Sequence, residues 1–342
     1  MIRSLALLAM VLCILGWLGL HELERRWEQP LAIQADGLVL TVDAGDSLRA
    51  VTNQLQEDGV MPYPQLLLLY GRWTGMDAQI KRGEYQLRQG MTSLDLLNLL
   101  QSGKVMHYQV TLPEGITLQQ ALGILGQQEA LEHALSGSDD ERIVTLTQDW
   151  KSPEGLFSPD SYRYVRGDSD WQILQRAYQS LQQQLQQEWD TRDDGLPYET
   201  PYEALIMASI IERETGVPRE REQIAGVFVR RLQRGMRLQT DPTVIYGIGE
   251  AFDGNLRRSH LADASNPYNT YRHGGLPPSP IALPGRAAIY AALHPAPGKT
   301  LYFVATGDGA HVFSATLAEH QRAVRKYQLR RKPNYRSSPE KQ

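Results

Sequence analysis

The sequence predicts an α+β fold in which an N-terminal transmembrane helix precedes a small α+β subdomain and a larger mixed α+β domain. Three observations support this prediction. Residues 4–20 carry no charged side chain, short strand patterns alternate with Leu-rich helical patterns in the part that follows, and long helical patterns dominate the rest. The predicted boundaries are 1–24 for the anchor, 35–105 for the subdomain, 106–335 for the larger domain and 336–342 for a disordered tail.

Composition narrows the function classes. The chain has 342 residues, 42% hydrophobic residues and a formal net charge of -4, so it shows no basic bias that would indicate a nucleic-acid partner. Its one cysteine, Cys13, excludes an intrachain disulfide and a cysteine-based metal site. The sequence contains no HExxH, Walker A, GxSxG or GxGxxG pattern. We therefore expect no metal and no cofactor.

The uncharged segment, residues 4–20, falls at the short end of the roughly 17 to 25 residues that span a bilayer. A membrane anchor is the expected structure. A cleaved signal peptide is the alternative, but no small-x-small cleavage pattern follows the segment. Because Arg3 precedes it while Arg25 and Arg26 follow it, charge alone does not fix its orientation.

A strand, a glycine turn, a Ser or Thr cap and a Leu-rich amphipathic helix recur three times. The copies read VDAGDSLRAVTNQL, after a strand that starts at Leu38, LRQGMTSLDLLNLL from Leu87, and LPEGITLQQALGIL from Leu112. Between the first two copies, a second helix is predicted over 63–73 and a short strand over 83–87. We expect these units to form the small subdomain and the start of the larger domain.

The middle of the chain combines an aromatic loop with two long helices. The loop EGLFSPDSYRY, residues 154–164, offers Phe157, Tyr162 and Tyr164 for stacking on sugar rings, although such aromatics more often pack in a core. Helices are predicted over 171–189 and 219–234. The second helix has a basic side that is either solvated or bound to an anionic polymer. Its members are Arg230, Arg231 and Arg234.

Helical periodicity breaks after residue 234, where segments rich in Gly, Pro, Asn and Tyr predict ordered loops. They read GMRLQTDPTVIYGIG and NPYNTYRHGGLPPSPIALPG. Such loops could wall a groove, with polar side chains directed at hydroxyl and acetamido groups. These side chains are Gln239, Thr240, Asp241, Asn269 and Tyr271. A hairpin over 301–314 and a helix from Thr316 to about Arg331 are predicted beyond them.

A helix over residues 201–215 carries the strongest candidate for chemistry, Glu214. A rotation of about 100° per residue places Glu214 within about 60° of an apolar stripe, whereas Glu212 points nearly the opposite way. The stripe consists of Met207, Ile210 and Ile211. The two carboxylates therefore cannot converge on one substrate atom, and the helix is apolar on almost every side, which predicts burial.

The position of Glu214 at the end of this helix predicts a raised pKa for its carboxyl group. Gly216 suits the C′ position and Pro218 follows it, so the helix should stop near Thr215. Backbone carbonyls and an apolar lining both raise the pKa of a carboxyl group there, and a protonated carboxyl is the general acid that glycosidic cleavage requires. Taken alone, the helix fits better a surface glutamate paired with a neighbouring arginine.

Four segments together resemble one family, the YceG-like endolytic murein transglycosylases, which are membrane-anchored enzymes that cut nascent peptidoglycan strands. The segments are ASIIERETGVPRER, RGMRLQTDPTVIYGIG, NPYNTYRHGGLPPSPIALPG and LYFVATGDGAHVFS. The resemblance runs from about Val110 to Tyr327. It implies that Glu214, the second Glu of the E-x-E-T motif, is catalytic. It implies further that the glycan groove is lined by Gln239, Asp241, Tyr246, Asn269 and Tyr271.

The resemblance also implies a location and partners. It implies a single-pass anchor in the bacterial inner membrane, a catalytic domain in the periplasm, glycan strands as substrate and peptidoglycan synthases as neighbours. The stretch VDAGDSL, which begins at Val42, resembles the opening of LysM modules, which bind peptidoglycan glycans. A capped strand-to-helix turn of any small α+β domain is an equally good interpretation.

The reaction implied by the resemblance is that of a lyase. Protonated Glu214 would donate to the oxygen of the MurNAc-GlcNAc β-1,4 bond and then accept the proton of the C6 hydroxyl, which closes a 1,6-anhydroMurNAc ring. Two alternatives remain at this point. One is a hydrolytic muramidase with Asp241 or Asp160 as second carboxylate, and the other is a non-catalytic peptidoglycan-binding scaffold.

Overall fold

The computed structural model describes residues 10, 14–15, 17–18, 21–307 and 309–328. These residues form a mixed α+β fold, as predicted, and their strands pair in two-stranded sheets. The chain divides into two compact units. The first contains residues up to 109 together with 129–132 and 163–168, and the second contains 110–128, 133–162 and residues from 169 onward. The proposed domain boundary at residue 106 stays a prediction.

Within the described residues, no helix is long and apolar enough to cross a membrane. Most of the uncharged segment, residues 4–20, lies outside the described residues, and the predicted tail, residues 336–342, lies wholly outside them.

The first unit is built on two copies of the recurring motif. Its regular elements are β1 (Leu38–Val42), α1 (Leu48–Glu57), α2 (Pro64–Thr74), β2 (Gly83–Leu87) and α3 (Ser93–Ser102). β1 and β2 pair antiparallel, with Leu40 opposite Tyr85. Both side chains are fully buried, and they pack with leucines of the three helices into one hydrophobic core. The Tyr85 hydroxyl donates to the Lys81 carbonyl at 2.6 Å, which satisfies its buried polar atom.

The third copy of the motif runs from β3 (Tyr108–Thr111), which pairs with β4 (Ser161–Tyr164), into α4 (Leu118–Leu125). All three copies form as predicted. In each, a glycine at positive φ turns the chain and a hydroxyl side chain caps the following helix. The capping residues are Ser47, Thr92 and Thr117, and the glycines are Gly45, Gly90 and Gly115.

The second unit is mostly helical. Its remaining elements are α5 (Glu141–Leu146), α6 (Asp170–Asp190), α7 (Pro201–Glu214), α8 (Arg221–Gln233), α9 (Asp241–Ile248), α10 (Arg258–Ala262), α11 (Arg286–Leu293), β5 (Tyr302–Ala305), β6 (His311–Ser314) and α12 (Leu317–Tyr327). β5 and β6 pair antiparallel with Phe303 opposite Phe313, which confirms the predicted hairpin.

The helix α7 is the centre of the second unit. It packs against α6, α8, α9 and α11, and every residue from Ala204 to Ile211 is buried. Ser209 is the polar exception within this run. It donates to the Ile206 carbonyl at 2.7 Å and accepts from the Ile281 N–H at 3.0 Å. The apolar character of this helix on almost every side thus corresponds to burial on almost every side, as predicted.

One segment that was expected to be a loop contains a helix. The stretch that follows residue 234 forms α9, which starts at Asp241 with Pro242 in its first turn. Proline at this position fixes a helical φ and gives up an N–H that has no partner in the first turn. Thr240 and Pro242 are therefore start signals that the high Gly and Tyr content of the segment obscured.

The basic side of α8 is not a solvated face either. Arg231 is buried, and its guanidinium donates to the carbonyls of Leu301 and Leu238, each at 2.7 Å. Arg230 donates to the Ala296 carbonyl at 2.9 Å, and only Arg234 of the three is exposed. These cations satisfy loop carbonyls that α8 would otherwise leave unpaired, so the expectation of a basic face for anionic polymers was wrong.

Gly226 explains how close that loop approaches α8. A Cβ at this position would lie 2.4 Å from the Ala296 carbonyl oxygen, whereas a Cβ at Gly123, inside α4, would meet no atom within 4 Å. We expect Gly226→Ala to lower the free energy of unfolding by about 1 to 3 kcal/mol because backbone must move. Gly123→Ala should raise it by about 0.5 to 1 kcal/mol through helix propensity. Urea unfolding of both variants tests this, and equal stabilities would contradict the packing described.

Candidate active site

The site begins at the last residue of α7. Thr200 caps the start of this helix, Pro201 occupies its first turn, and Glu214 is its final residue. The helix ends there because Thr215 is extended, with φ -146° and ψ 135°. The predicted stop is therefore correct in position, but its cause is different, because Gly216 does not adopt the left-handed conformation of a C′ glycine.

The Glu214 carboxyl contacts the start of α9. The Thr240 hydroxyl donates a hydrogen bond to Glu214 Oε1. Thr240 is the N-cap residue of α9, yet its side chain does not bond to the N–H groups of its own helix. A threonine at this position ordinarily caps its helix, so the hydroxyl has exchanged a local partner for one across the fold. This bond joins two motifs that the sequence separates by 26 residues.

Burial raises the pKa of Glu214 to about 7. The hydrogen bond from Thr240 and the positive charge of Arg231 lower this pKa, and the negative charge of Asp241 raises it, but burial is the largest effect. The side chain keeps partial exposure, so a ligand can reach it. Glu214 is thus a carboxyl group that holds its proton near neutral pH, which is the property required of a general acid.

Glu212 has a different environment on the same helix. Its Oε2 accepts the Gly285 N–H at 3.0 Å, where α11 begins, and its Oε1 lies 3.4 Å from Arg221 Nη2. The two carboxylates therefore serve different neighbours, as the helical rotation predicted. Arg213, one of the two neighbouring arginines considered as partners of Glu214 together with Arg219, donates instead to the Gly115 carbonyl at 2.9 Å.

Three of the predicted site residues lie close enough to Glu214 to bond to it or to interact with its charge, namely Thr240, Asp241 and Tyr271. Thr240 bonds to it, and the Asp241 charge acts on it. Asp241 Oδ1 accepts the Tyr271 hydroxyl at 2.6 Å, and burial raises the pKa of Tyr271 so that this hydroxyl stays protonated. Gln239 precedes them, exposed, with a left-handed φ of 52°. Left-handed backbone at a residue other than glycine is uncommon and is concentrated at functional sites.

Asn269 lies in the same loops but does not face a ligand. Its side chain is fully buried, and its Nδ2 atom donates to the carbonyls of His260, Leu261 and Asp263. Its Oδ1 atom accepts the Tyr271 N–H at 3.0 Å. Every polar atom of this amide is occupied by backbone, so the structure gives Asn269 the task of fixing the loop that carries Tyr271, and not the direct contact with substrate that was expected.

Tyr246 marks a second part of the site. A pocket of 760 Å³ is lined by Arg213, the chain neighbour of Glu214, and by Pro242 of α9, and it extends past Tyr246, Phe252 and Tyr268. This volume is within the usual range for ligand sites. The pocket is partly apolar and partly polar, as a surface that binds sugar faces and hydroxyl groups must be.

Sequence reasoning did not identify Glu154 as a site residue. Its carboxyl lines the same pocket, accepting the Leu118 N–H at 3.0 Å and the Tyr246 hydroxyl at 3.2 Å. Burial raises the pKa of Glu154 to about 7. The signal was present in the sequence, because a Glu-Gly pair followed by apolar residues is unusual in a solvated loop. Gly155 has a φ of 78°, and a Cβ there would meet Pro280 at 2.4 Å.

The aromatic residues of the loop at 154–164 are not available to sugars. Phe157, Tyr162 and Tyr164 are 0%, 8% and 4% exposed. The Tyr162 hydroxyl donates to the Ser158 carbonyl at 2.6 Å, as expected of a core tyrosine. Of the two interpretations of these aromatic residues, packing in a core is confirmed and stacking on sugar rings is not. The carboxylate of Asp160, considered earlier as a second catalytic group, accepts the N–H of Ser161.

The chain is similar to known proteins over most of its length. A family model described as the YceG-like family matches residues 40–326. An endolytic murein transglycosylase of Bacillus subtilis is 31% identical in an alignment of 308 positions, which covers 84% of this chain and 84% of that protein. One of Streptococcus pneumoniae is 27% identical over 317 residues, covering 83% of this chain and 57% of its own length. The crystal structure of a YceG-like protein from Listeria monocytogenes is similar with a TM-score of 0.52 and 27% identity, over 84% of this chain and 99% of that one.

The hydrogen bond from Thr240 offers a test of the electrostatics. We expect Thr240→Val to raise the pKa of Glu214 further, because a donor to a carboxylate favours the ionised form and valine removes it. NMR titration of the labelled glutamate carboxyl carbon, with the signal assigned by its loss in Glu214→Gln, measures this. Thr147→Val is the control, since Thr147 is also buried and its hydroxyl donates to the Ile143 carbonyl instead of to Glu214. A pKa that is unchanged in Thr240→Val would show that the bond does not form.

Proposed function

Because this chain belongs to the YceG-like family, we propose that it is an endolytic murein transglycosylase, a lyase that cleaves the MurNAc-GlcNAc β-1,4 bond within nascent peptidoglycan strands. The observation that carries this proposal is Glu214, a carboxyl whose pKa burial raises to about 7. It bonds to Thr240 at the start of α9, the helix that contributes Pro242 and Tyr246 to a pocket of sugar-binding size. A scaffold that only binds glycans has no use for an acid held protonated at a cost in desolvation.

In the proposed reaction, Glu214 acts first as an acid. It donates its proton to the bridging oxygen, and the bond from the MurNAc anomeric carbon to that oxygen breaks as oxocarbenium character develops. GlcNAc leaves with a free 4-hydroxyl group. The carboxylate now produced lies close to the same sugar, with the Thr240 hydroxyl donating to it.

Glu214 then acts as the base. Its carboxylate accepts the proton of the MurNAc C6 hydroxyl, whose oxygen bonds to the anomeric carbon and closes the 1,6-anhydro ring. No water is consumed, and the acid is restored to its starting form. A pKa near 7 suits both steps, because the group must release and recover one proton at similar cost.

The residues around Glu214 have two proposed roles, contact with the substrate and support of the loops that form the groove. Gln239 is exposed and precedes Thr240, which bonds to the acid, so it is the first candidate to bind a hydroxyl or acetamido group. Tyr271 and Asp241 bond to each other, and the Asp241 charge helps to hold the proton on Glu214. We assign Tyr246 to the wall of the groove and Asn269 to loop support.

The rest of the chain fits a location at the cell envelope. We propose that residues 1–24 form a single-pass anchor in the bacterial inner membrane and that the catalytic domain lies in the periplasm, where its substrate is made. We propose also that the subdomain at 35–105 binds glycan strands as LysM modules do, and that peptidoglycan synthases are neighbours whose growing strands this enzyme ends. The uncharged segment and the capped motif after Val42 support these assignments.

Substitution of the acid tests the assignment. Glu214→Gln should keep the fold and lose strand cleavage by about a thousandfold, because the amide cannot donate an acidic proton. Incubation with uncrosslinked glycan strands and mass spectrometry of the products measures both rate and chemistry. Anhydro ends weigh one water less than the reducing ends of a muramidase. Glu212→Gln, on the same helix, is the control and should retain cleavage in its folded fraction.

Full activity in Glu214→Gln would remove Glu214 from the mechanism. Reducing ends in place of anhydro ends would assign the chain to the hydrolases, and the absence of new ends together with strand binding would make it a scaffold. Each outcome is read from the same digest.

The pKa of Glu214 predicts the dependence of the reaction on pH. Because cleavage requires the protonated form and the pKa is about 7, kcat/KM should fall about tenfold per pH unit above neutrality. Thr240→Val should shift this fall in kcat/KM to higher pH. Glu154 also has a pKa raised to about 7, so Glu154→Gln is the control. If the fall in kcat/KM disappears in Glu154→Gln, it is caused by the ionisation of Glu154.

A further inference from the structure

The helix α2 is apolar on two sides, although only one side faces the core. Leu67 is fully buried and Gly71 packs against Leu48, which completes the inward side. The opposite side carries apolar residues at the spacing of one helical face. They are Leu66, Leu69, Tyr70 and Trp73. Leu69 is 70% exposed and Trp73 is 82% exposed, which packing within the first unit does not explain.

The helical segment at 21–28 extends this surface. Trp27 lies against Tyr70, with ring centroids 4.9 Å apart, and Leu23 is exposed one turn before it. Leu23 and Trp27 form with the outward side of α2 a groove of 550 Å³, whose lining is apolar except for Glu24 at one edge. We call these residues the α2 apolar face: Leu23, Trp27, Leu66, Leu69, Tyr70 and Trp73.

The sequence indicates what covers this face. Leu23 lies three residues beyond Leu20, the last residue of the uncharged segment. Three residues of chain reach at most about 11 Å. If that segment ends at the surface of a bilayer, the α2 apolar face lies at the depth where Trp and Tyr side chains concentrate in membrane proteins.

Charges around the face do not favour a strongly anionic surface. Arg25 and Arg26 both pair with Glu22, and the Arg26 guanidinium also lies 4.7 Å from the centroid of the Tyr63 ring. The segment at 21–28 also contains Glu24 and Glu28, so positive charge does not predominate there. Burial of apolar side chains, and not attraction to anionic headgroups, is the expected source of binding.

We propose that the α2 apolar face docks into the interfacial layer of the lipid bilayer that holds the N-terminal segment. This rests on the membrane anchor proposed above. Docking places Leu69 and Trp73 among the upper acyl chains and holds the first unit against the membrane, in addition to the chain connection. A second copy of the chain and a helix of another membrane protein are the competing occupants.

The experiment uses the full chain in phosphatidylcholine vesicles that contain nitroxide-labelled lipids, with the spin label near the headgroup end of the acyl chain. Cys13→Ser removes the native thiol, and Leu69→Cys introduces a site for an environment-sensitive fluorophore. Gln54→Cys, at an exposed position of α1, is the matched control. Because Leu69 and Gln54 are exposed, neither change disturbs the core. A label on native Cys13 in the wild-type chain reports the anchor in a second set of vesicles, whose nitroxide lies near the terminal methyl of the acyl chain, because Cys13 is near the middle of the uncharged segment.

Docking predicts about twofold or greater quenching of the label at Leu69 relative to the label at Gln54, and this difference should be unaffected by salt because the binding is apolar. Trp73→Ser in the Leu69→Cys chain should reduce the quenching. Equal quenching at Leu69 and Gln54 overturns the proposal. Blue-shifted but unquenched emission at Leu69 also overturns it, since another protein surface would then cover the face.

The label at Cys13 distinguishes a failure of the membrane-anchor hypothesis from a failure of the docking proposal. If it is quenched while the label at Leu69 is not, the anchor is in the bilayer and only the docking proposal fails. If neither is quenched, both fail. Strand cleavage is measured independently, so these outcomes leave the assignment of Glu214 unaffected.

Discussion

The site depends on the burial of α7. A helix that is apolar on almost every side can be stabilised only if other elements cover it, and four helices do so here. Its last residue is a glutamate, so the packing that buries Ile210 and Ile211 also removes water from the Glu214 carboxyl. Loss of hydration disfavours the charged form of the acid. The packing of the apolar helix is thus the cause of the raised pKa of Glu214, on which the proposed chemistry depends.

A polar network holds the partner of that acid in place. The Thr270 hydroxyl accepts the Thr240 N–H at 3.0 Å, and the Thr243 hydroxyl donates to the Thr240 carbonyl at 2.8 Å. The Gln239 N–H bonds to the Thr270 carbonyl at 3.2 Å. Thr240, Thr243 and Thr270 are all buried, and such networks are rigid when every member is satisfied. This rigidity allows Gln239 to keep a left-handed backbone next to Thr240.

Glu154 extends the site beyond the acid. It joins the start of α4, through the Leu118 N–H, to Tyr246 of α9. Both contacts are donors to the carboxyl oxygens, and Glu154 remains a hydrogen-bond acceptor whether or not it carries a proton. We therefore regard Glu154 as a group that fixes the wall of the pocket, to which Tyr246 of α9 also belongs.

The sequence by itself determined the local structure and the choice of Glu214 as the candidate acid. Hydroxyl caps, turn glycines and apolar periodicity act over a few residues, so the three recurring motifs, the hairpin and α7 could all be predicted from it. The helical rotation also separated Glu214 from Glu212. Only the tertiary structure decided which polar side chains face the groove. It buried Asn269, turned Arg231 to loop carbonyls and brought Thr240 and Glu154 to the site, because these contacts join residues far apart in the chain, and no local periodicity encodes them.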